Sequence, residues 1–413
     1  MRAFAPLRDP IVARLWSALS VFTMGDELYR VALVWLAIEL VGRQAGYLGA
    51  VQSGCMLAGA IFGGAVASAI DPRRAMSILL AAGAVAALVP ALAWDFGAPS
   101  MLALAIPAVG ISLMRAQLEP AIQGHLPQLV ADRDVLFAAN SLIDGVRRMA
   151  RLSGPALAAG LALLMPVHEL FYVYALALAI SAYLLLRVGD ALPSREKSGS
   201  SSFLVGWKIV RAAPVLRRLL ALKFFTDGSW GLVIGYGLPL IVEQRNATWG
   251  PLVGIGAYGG GLATYGVCNL AASIVVGSMK PSLGLNRMLA GLTLTGLGLA
   301  VTGATAIYAP DAWLLPGLYL GLGLTALGPP FFEVPLTLRV QLAGSAQSQA
   351  AAASVHRVRI VAVFGGIMMA GLLSPTLFGL FGTAVAMTAA GAASALATLA
   401  VWYWLPPEKL AAD

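Results

Sequence analysis

Apolar segments, each long enough to cross a bilayer, follow one another along almost the whole of this 413-residue chain. A crossing helix needs about 20 apolar residues, and on that measure about twelve can be placed. In the first half they fall at roughly 12–40, 46–70, 75–94, 100–124, 135–165 and 168–187. In the second half they fall at roughly 214–243, 251–278, 286–308, 312–338, 347–373 and 376–404. The fold class expected is all-α and integral to a membrane, with twelve transmembrane helices. Composition agrees, since 11% of the residues are charged, against about 25% in a soluble domain. The 46 glycines suit helices that approach closely in lipid.

Between the sixth and seventh segments lies Val188–Val205, a polar stretch with Pro193-Ser-Arg-Glu-Lys-Ser-Gly-Ser-Ser-Ser202 at its centre. It has the composition of a flexible linker. Lys208–Lys223, with Arg211, Arg217 and Arg218, then predicts a surface helix leading into the seventh span. The expected organisation is a six-helix bundle over 1–187, a linker and surface helix over 188–213, and a second bundle over 214–413. Net charge is +8, but the loop bases sit in short connections, which argues for membrane orientation and against nucleic-acid binding. Arg2, Arg8, Arg73, Arg74, Arg133, Arg195, Lys197, Arg211, Lys280, Arg287, Arg339 and Lys409 lie on one side, and Arg43 and Arg245 on the other. The positive-inside rule then places both termini and the linker in the cytoplasm. The run after Met1–Pro10 is too long, and too charged in its middle, for a cleavable leader. Cys55 and Cys268 each fall inside an apolar span and read as small buried hydrophobes.

Several spans carry charges that cost roughly 2.5 to 3.5 kcal/mol each at mid-bilayer unless they face protein or water. Asp26, Glu27 and Arg30 interrupt the first. Asp26 and Arg30 stand four apart, share a helix face and could pair. Arg115, Gln117 and Glu119 lie in the fourth, where Arg115 and Glu119 are again four apart and Pro120 weakens the helix. The fifth holds Asp144, Arg147, Arg148 and Arg151, of which 144, 148 and 151 form one stripe. The eleventh holds His356, Arg357 and Arg359. Phe22-Thr-Met-Gly-Asp26 in the first span is echoed by Phe225-Thr-Asp227-Gly in the seventh, and Glu119-Pro120 in the fourth by Glu333-Val-Pro335 in the tenth. Matched acids in matched spans indicate an internal repeat, two similar bundles about a central path.

With these residues the chain resembles the major facilitator superfamily over essentially its whole length, and within it the branch of macrolide-efflux proteins and the enterobactin exporter. The resemblance is carried by Gly25-Asp26-Glu-Leu-Tyr-Arg30-Val-Ala-Leu-Val-Trp35, by Gly64-Ala-Val-Ala-Ser-Ala-Ile-Asp71-Pro-Arg73-Arg74, and by Ala139-Asn140-Ser141-Leu142 with Gly154-Pro155. It implies two pseudo-symmetric six-helix bundles, with the first, fourth, seventh and tenth spans lining a central cavity. Those spans carry Asp26, Glu119, Asp227 and Glu333, the candidates for binding a coupling proton or cation. Asp71, Arg73 and Arg74 occupy the place of the superfamily's gating loop, although Pro72 and the lone Asp71 depart from its fuller pattern. Arg115 with Gln117 is similar to its antiporter signature in the fourth helix. Gly154-Pro155 with Gly160 is similar to the antiporter motif of the fifth.

The function expected is secondary active export of a small organic molecule by alternating access, in a bacterial inner membrane, by a monomer. Asp26 is read either as a coupling carboxylate or as one side of a structural ion pair. Glu27, Arg30, Arg115, Gln117, Asn140, Asp144, Arg147, Arg148, Arg151, His356, Arg357 and Arg359 are candidates for contact with substrate or for the charge network. Because guanidinium groups bind carboxylates in bidentate fashion, the bases of the fifth and eleventh spans either admit an anionic or siderophore-like substrate or brace the cytoplasmic gate. A lysophospholipid flippase and a ferroportin-like metal exporter are the nearest alternatives; a non-transporting membrane sensor is one from another class. The glycine-rich stretches lack the strand and the Gly-Lys-Ser/Thr of a phosphate cradle. No enzyme activity, cofactor or metal site is expected.

Overall fold

The computed structural model describes residues 7, 10–69, 72–129, 133–189, 203–279, 284–345 and 349–404. Helices α1 (Pro10–Val41), α2 (Gly46–Ala69), α3 (Pro72–Asp95), α4 (Met101–Leu129), α5 (Arg133–Leu161) and α6 (Leu170–Gly189) make the first six passes. Then α7 (Phe203–Ala212) precedes a seventh pass in three parts: α8 (Pro214–Trp230), a π-helical turn (Gly231–Gly237) and α9 (Leu238–Gln244). The remaining passes are α10 (Gly254–Ser278), α11 (Leu285–Tyr308), α12 (Asp311–Leu327) with α13 (Pro329–Ser345), α14 (Gln349–Phe381) and α15 (Thr383–Trp404). Among the described residues, eight helical stretches are long and apolar enough to cross a membrane, and one of them, Pro10–Phe62, contains both α1 and most of α2.

Local chemistry explains where passes break. A proline ring clashes with the carbonyl four residues earlier and offers no N–H. At Pro239 that carbonyl belongs to Gly235, and the seventh pass widens to π register just before it, across Gly231, Gly235 and Gly237. Pro329 and Pro330 likewise divide the tenth pass after Gly328. The surface helix expected over Lys208–Lys223 is shorter and starts earlier. It is α7 alone; Pro214 opens a new helix, so Arg217, Arg218 and Lys223 belong to the seventh pass. On α7, Gly206 and Val210 are buried while Leu204 and Trp207 are exposed.

Within each half the helices pack on one another, α1 on α5 and α6, α3 on α4 and α6, α11 on α12 and α15, and α8 on α14. The most extensive pairings between halves are α2 with α14 and α5 with α10. Both depend on glycine. A Cβ on Gly371 would stand 2.6 Å from the Gly46 carbonyl oxygen, and one on Gly259 would stand 2.8 Å from that of Pro155. A Cβ on Gly266 would lie 2.8 Å from Leu152 Cα. Backbone-to-backbone approach of this kind is the close packing that small residues permit in lipid. At the end away from the linker, one apolar core joins the halves: Leu33, Leu36 and Ile38 of α1 share it with Ile234, Leu238 and Ile241 of the seventh pass and Ile255 of α10. A second core, containing Leu216, Phe332 and Val355, lies within the second half.

Candidate functional site

Among the described residues, two charge clusters sit inside the helical bundle. In the first half, Asp26 lies midway along α1 and is 3% exposed. Its Oδ2 is 3.0 Å from Arg115 Nη1 on α4, and the Tyr174 hydroxyl of α6 is 3.5 Å from its Oδ1. Tyr29 stacks on Tyr174 with ring centroids 4.7 Å apart and meets Phe171 edge-on at 5.7 Å. These rings exclude water from the carboxylate, so its charge is balanced by a guanidinium from another helix. A guanidinium suits this role because it presents several N–H donors in one plane.

Arg30 does not join that pair. Its Nη1 is 3.1 Å from Oε2 of Glu27, three residues earlier. The Asp26–Arg30 pairing that the spacing allows is therefore corrected: Asp26 turns toward α4 and α6, and Arg30, whose side chain is 42% exposed, turns toward Glu27. Both spacings put residues on neighbouring positions of a helix surface, so the choice falls to what packs around them. Glu27 is held against α5, where its Cβ abuts Gly154. Any side chain at Gly154 would displace it.

The second cluster draws on three helices. Lys223 Nζ on α8 is 2.7 Å from Asp227 Oδ2, one turn on, and also contacts Glu333 of α13. Arg359 Nη2 of α14 is 2.5 Å from Glu333 Oε2, and its Nη1 donates to Thr337 Oγ1 at 2.7 Å. Two acids and two bases thus cancel in one network. Trp230, one turn beyond Asp227, meets Tyr265 of α10 edge-on at 6.2 Å. Arg357 points elsewhere: its Nη1 donates to the Ala60 carbonyl of α2 at 3.0 Å, across the interface between halves. His356 is half-buried on the same helix, and Arg151 on α5 is exposed.

Lys223 was missed by sequence reasoning, which assigned it to the end of a surface helix. The available signal was its spacing of four from Asp227, inside an otherwise apolar run. Gln117, Glu119, Asn140, Asp144, Arg147 and Arg148 lie outside the residues whose side chains are described, as do Arg73 and Arg74, and Asp71 lies outside the described residues altogether.

Away from the clusters, His168 Nε2 lies 3.1 Å from Asp95 Oδ1, and the Tyr172 hydroxyl donates to Asp95 Oδ2 at 2.5 Å, tying α3 to the start of α6. Arg245 pairs with Asp311 and binds the Ala306 carbonyl, closing the same end of the second half.

Twelve passes in two six-helix halves, meeting along α2–α14 and α5–α10 with paired charges inside, are the architecture of a polytopic membrane protein. The sequence profile of the Major Facilitator Superfamily matches residues 15–355, and the chain belongs to that superfamily of secondary active transporters. No curated protein matches the chain. Solved structures agree on the fold. A POT family transporter in complex with a thioalcohol-conjugated peptide superposes with a TM-score of 0.75 at 13% identity, covering 95% of each chain. The POT family transporter PepTSo gives 0.72 at 13% identity, covering 95% of this chain and 97% of its own. A variant of the nucleoside transporter NupG gives 0.72 at 13% identity, covering 96% of this chain and 100% of its own.

Proposed function

We propose that this protein is a proton-coupled exporter of small amphipathic organic molecules, working by alternating access in a bacterial inner membrane with both termini in the cytoplasm. The bodies that rock are the helices of 1–187 and of 214–413, joined through 188–213. The observation that carries the proposal is the sealed Asp26 carboxylate, held midway along α1 by Arg115 of α4 and overlooked by Tyr174 of α6. A carboxylate held against a guanidinium has two conditions: ionised and paired, or protonated with that contact loosened. Protonation weakens the Arg115 contact and with it a tie between α1 and α4. A ligand or proton shifts a conformational equilibrium only as far as it favours one state over the other, and this pair supplies that difference.

The apolar core joining α1, the seventh pass and α10 at the end away from the linker supports the reading that this end is shut here. Resemblance to the macrolide-efflux and enterobactin-exporter branch, with its antiporter motifs at Arg115-Ala-Gln117 and Gly154-Pro155, supports export. Arg115, Arg30 and Arg359 each face an acid, so a preference for anionic or siderophore-like cargo rests on Arg147, Arg148 and Arg151 of α5.

The test is flux in proteoliposomes under an imposed pH gradient. Carboxylate siderophores, amphipathic cationic drugs, lysophospholipids and divalent cations are each offered as cargo, and internal pH is followed with a trapped dye. We expect one of the organic classes to move protons in the wild type and none to do so in Asp26→Asn. Movement of cargo without protons in both chains would overturn coupling at Asp26, and flux of metal alone would overturn the substrate class.

A further inference from the structure

Of the four bases described in the two clusters, Lys223 has the least exposed side chain, 9% against 17% for Arg359, 29% for Arg115 and 42% for Arg30. Its Nζ lies 2.9 Å from Oδ1 and 2.7 Å from Oδ2 of Asp227 and also touches Oε1 of Glu333. Three carboxylate oxygens from two helices therefore surround one small monovalent charge. Asp227 Oδ2 is buried and accepts no well-aligned hydrogen bond. It is held to the ammonium by charge, as an oxygen ligand is held to a hard cation. The remaining oxygen of Glu333 is fixed by Arg359, which is itself braced by Thr337. The acids are thus oriented around the point that Nζ occupies, and an ammonium is a compact charge of the kind an alkali ion presents.

We propose that Lys223 is a tethered counter-ion. Its ammonium fills a monovalent-cation site formed by Asp227 and Glu333, so this half of the protein carries its own cation and takes no sodium from solution. Among the described residues the four charges with Lys223 sum to zero; without it Asp227, Glu333 and Arg359, at 17 to 28% side-chain exposure, leave one negative charge in a largely shielded place. Burial of an unbalanced charge is costly, so the emptied site recruits a cation. For transport the consequence rests on the function proposed above: the coupling ion then enters through the Asp26 cluster, and sodium gradients do not drive this protein.

The experiment uses the full-length protein in lipid nanodiscs and follows its unfolding temperature as sodium chloride replaces choline chloride at constant ionic strength. The wild type is expected to unfold at the same temperature in both salts. Lys223→Ala is expected to gain several degrees in sodium, in a rise that grows with the logarithm of concentration as ligand binding requires. The double variant Lys223→Ala with Asp227→Asn is expected to lose the response. If Lys223→Ala does not assemble, Lys223→Gln, which keeps length without charge, carries the same comparison. The proposal is overturned if the folded single variant treats sodium and choline alike, if acid alone restores its stability, or if the wild type responds to sodium as strongly as the variant. None of these measurements needs a cargo, so failure here is separate from failure of the flux assay.

Discussion

The two halves place an aspartate at corresponding points of their first helices, Asp26 and Asp227, yet balance it in opposite ways. In the first half the described counter-charge comes from the fourth helix, Arg115 reaching across to α1. In the second half the nearest base is on the same helix, Lys223, and it is the tenth pass that contributes an acid, Glu333. The first arrangement is a pair between helices, wrapped in Tyr29, Phe171 and Tyr174; the second is a neutral network in which each acid touches Lys223 and Glu333 also touches Arg359. A carboxylate paired to a guanidinium on another helix loses that attraction when it takes up a proton. A network with redundant contacts holds its shape when any one of them weakens. On the function proposed above, the first half would be the responsive one and the second the anchored one.

That difference is open to four tests, from the largest expected effect to the smallest. Asp26→Asn leaves Arg115 facing a neutral amide. Breaking a buried pair costs roughly 3 to 5 kcal/mol, and about 3 kcal/mol is expected here because Arg115 retains some solvent. Proton-linked flux should vanish, and the double variant with Arg115→Met should regain stability in thermal unfolding without regaining flux. Equal stability of both variants would deny that the two residues interact.

Glu333→Gln removes the acid shared by two bases. Lys223 keeps Asp227 and Arg359 keeps Thr337, so the loss should be about 2 kcal/mol, the scale of a hydrogen bond to a charged group. Flux should fall by less than in Asp26→Asn; a larger fall would reverse the assignment of responsive and anchored halves. Gly371→Val forces a branched side chain toward the Gly46 carbonyl, at 2.6 Å for the Cβ alone. Overpacking of this kind costs about 1 to 2 kcal/mol. Because it strains the α2–α14 contact, cysteines introduced at the end away from the linker should label faster. Glu27→Gln opposes an arginine that is 42% exposed. Solvent screens such a pair, so unfolding should shift by under about 1 kcal/mol, and a larger shift would show that the Glu27 charge is less screened than the exposure of Arg30 implies.

The sequence by itself determined that this is a twelve-pass helical membrane protein, because span length and the rarity of charge follow from lipid acting on each segment in turn. It also suggested matched acids, Asp26 with Asp227 and Glu119 with Glu333, because the residues around them echo one another. It could not say which base answers which acid. From spacing alone Arg30 was as good a partner for Asp26 as for Glu27, and Lys223 read as the end of a surface helix. Tertiary structure decided both, by bringing α4 and α6 against α1 and α13 and α14 against α8. Helical periodicity constrains neighbours within a few residues, whereas Asp26 and Arg115 meet only because two helices far apart in the chain pack side by side and close out water between them.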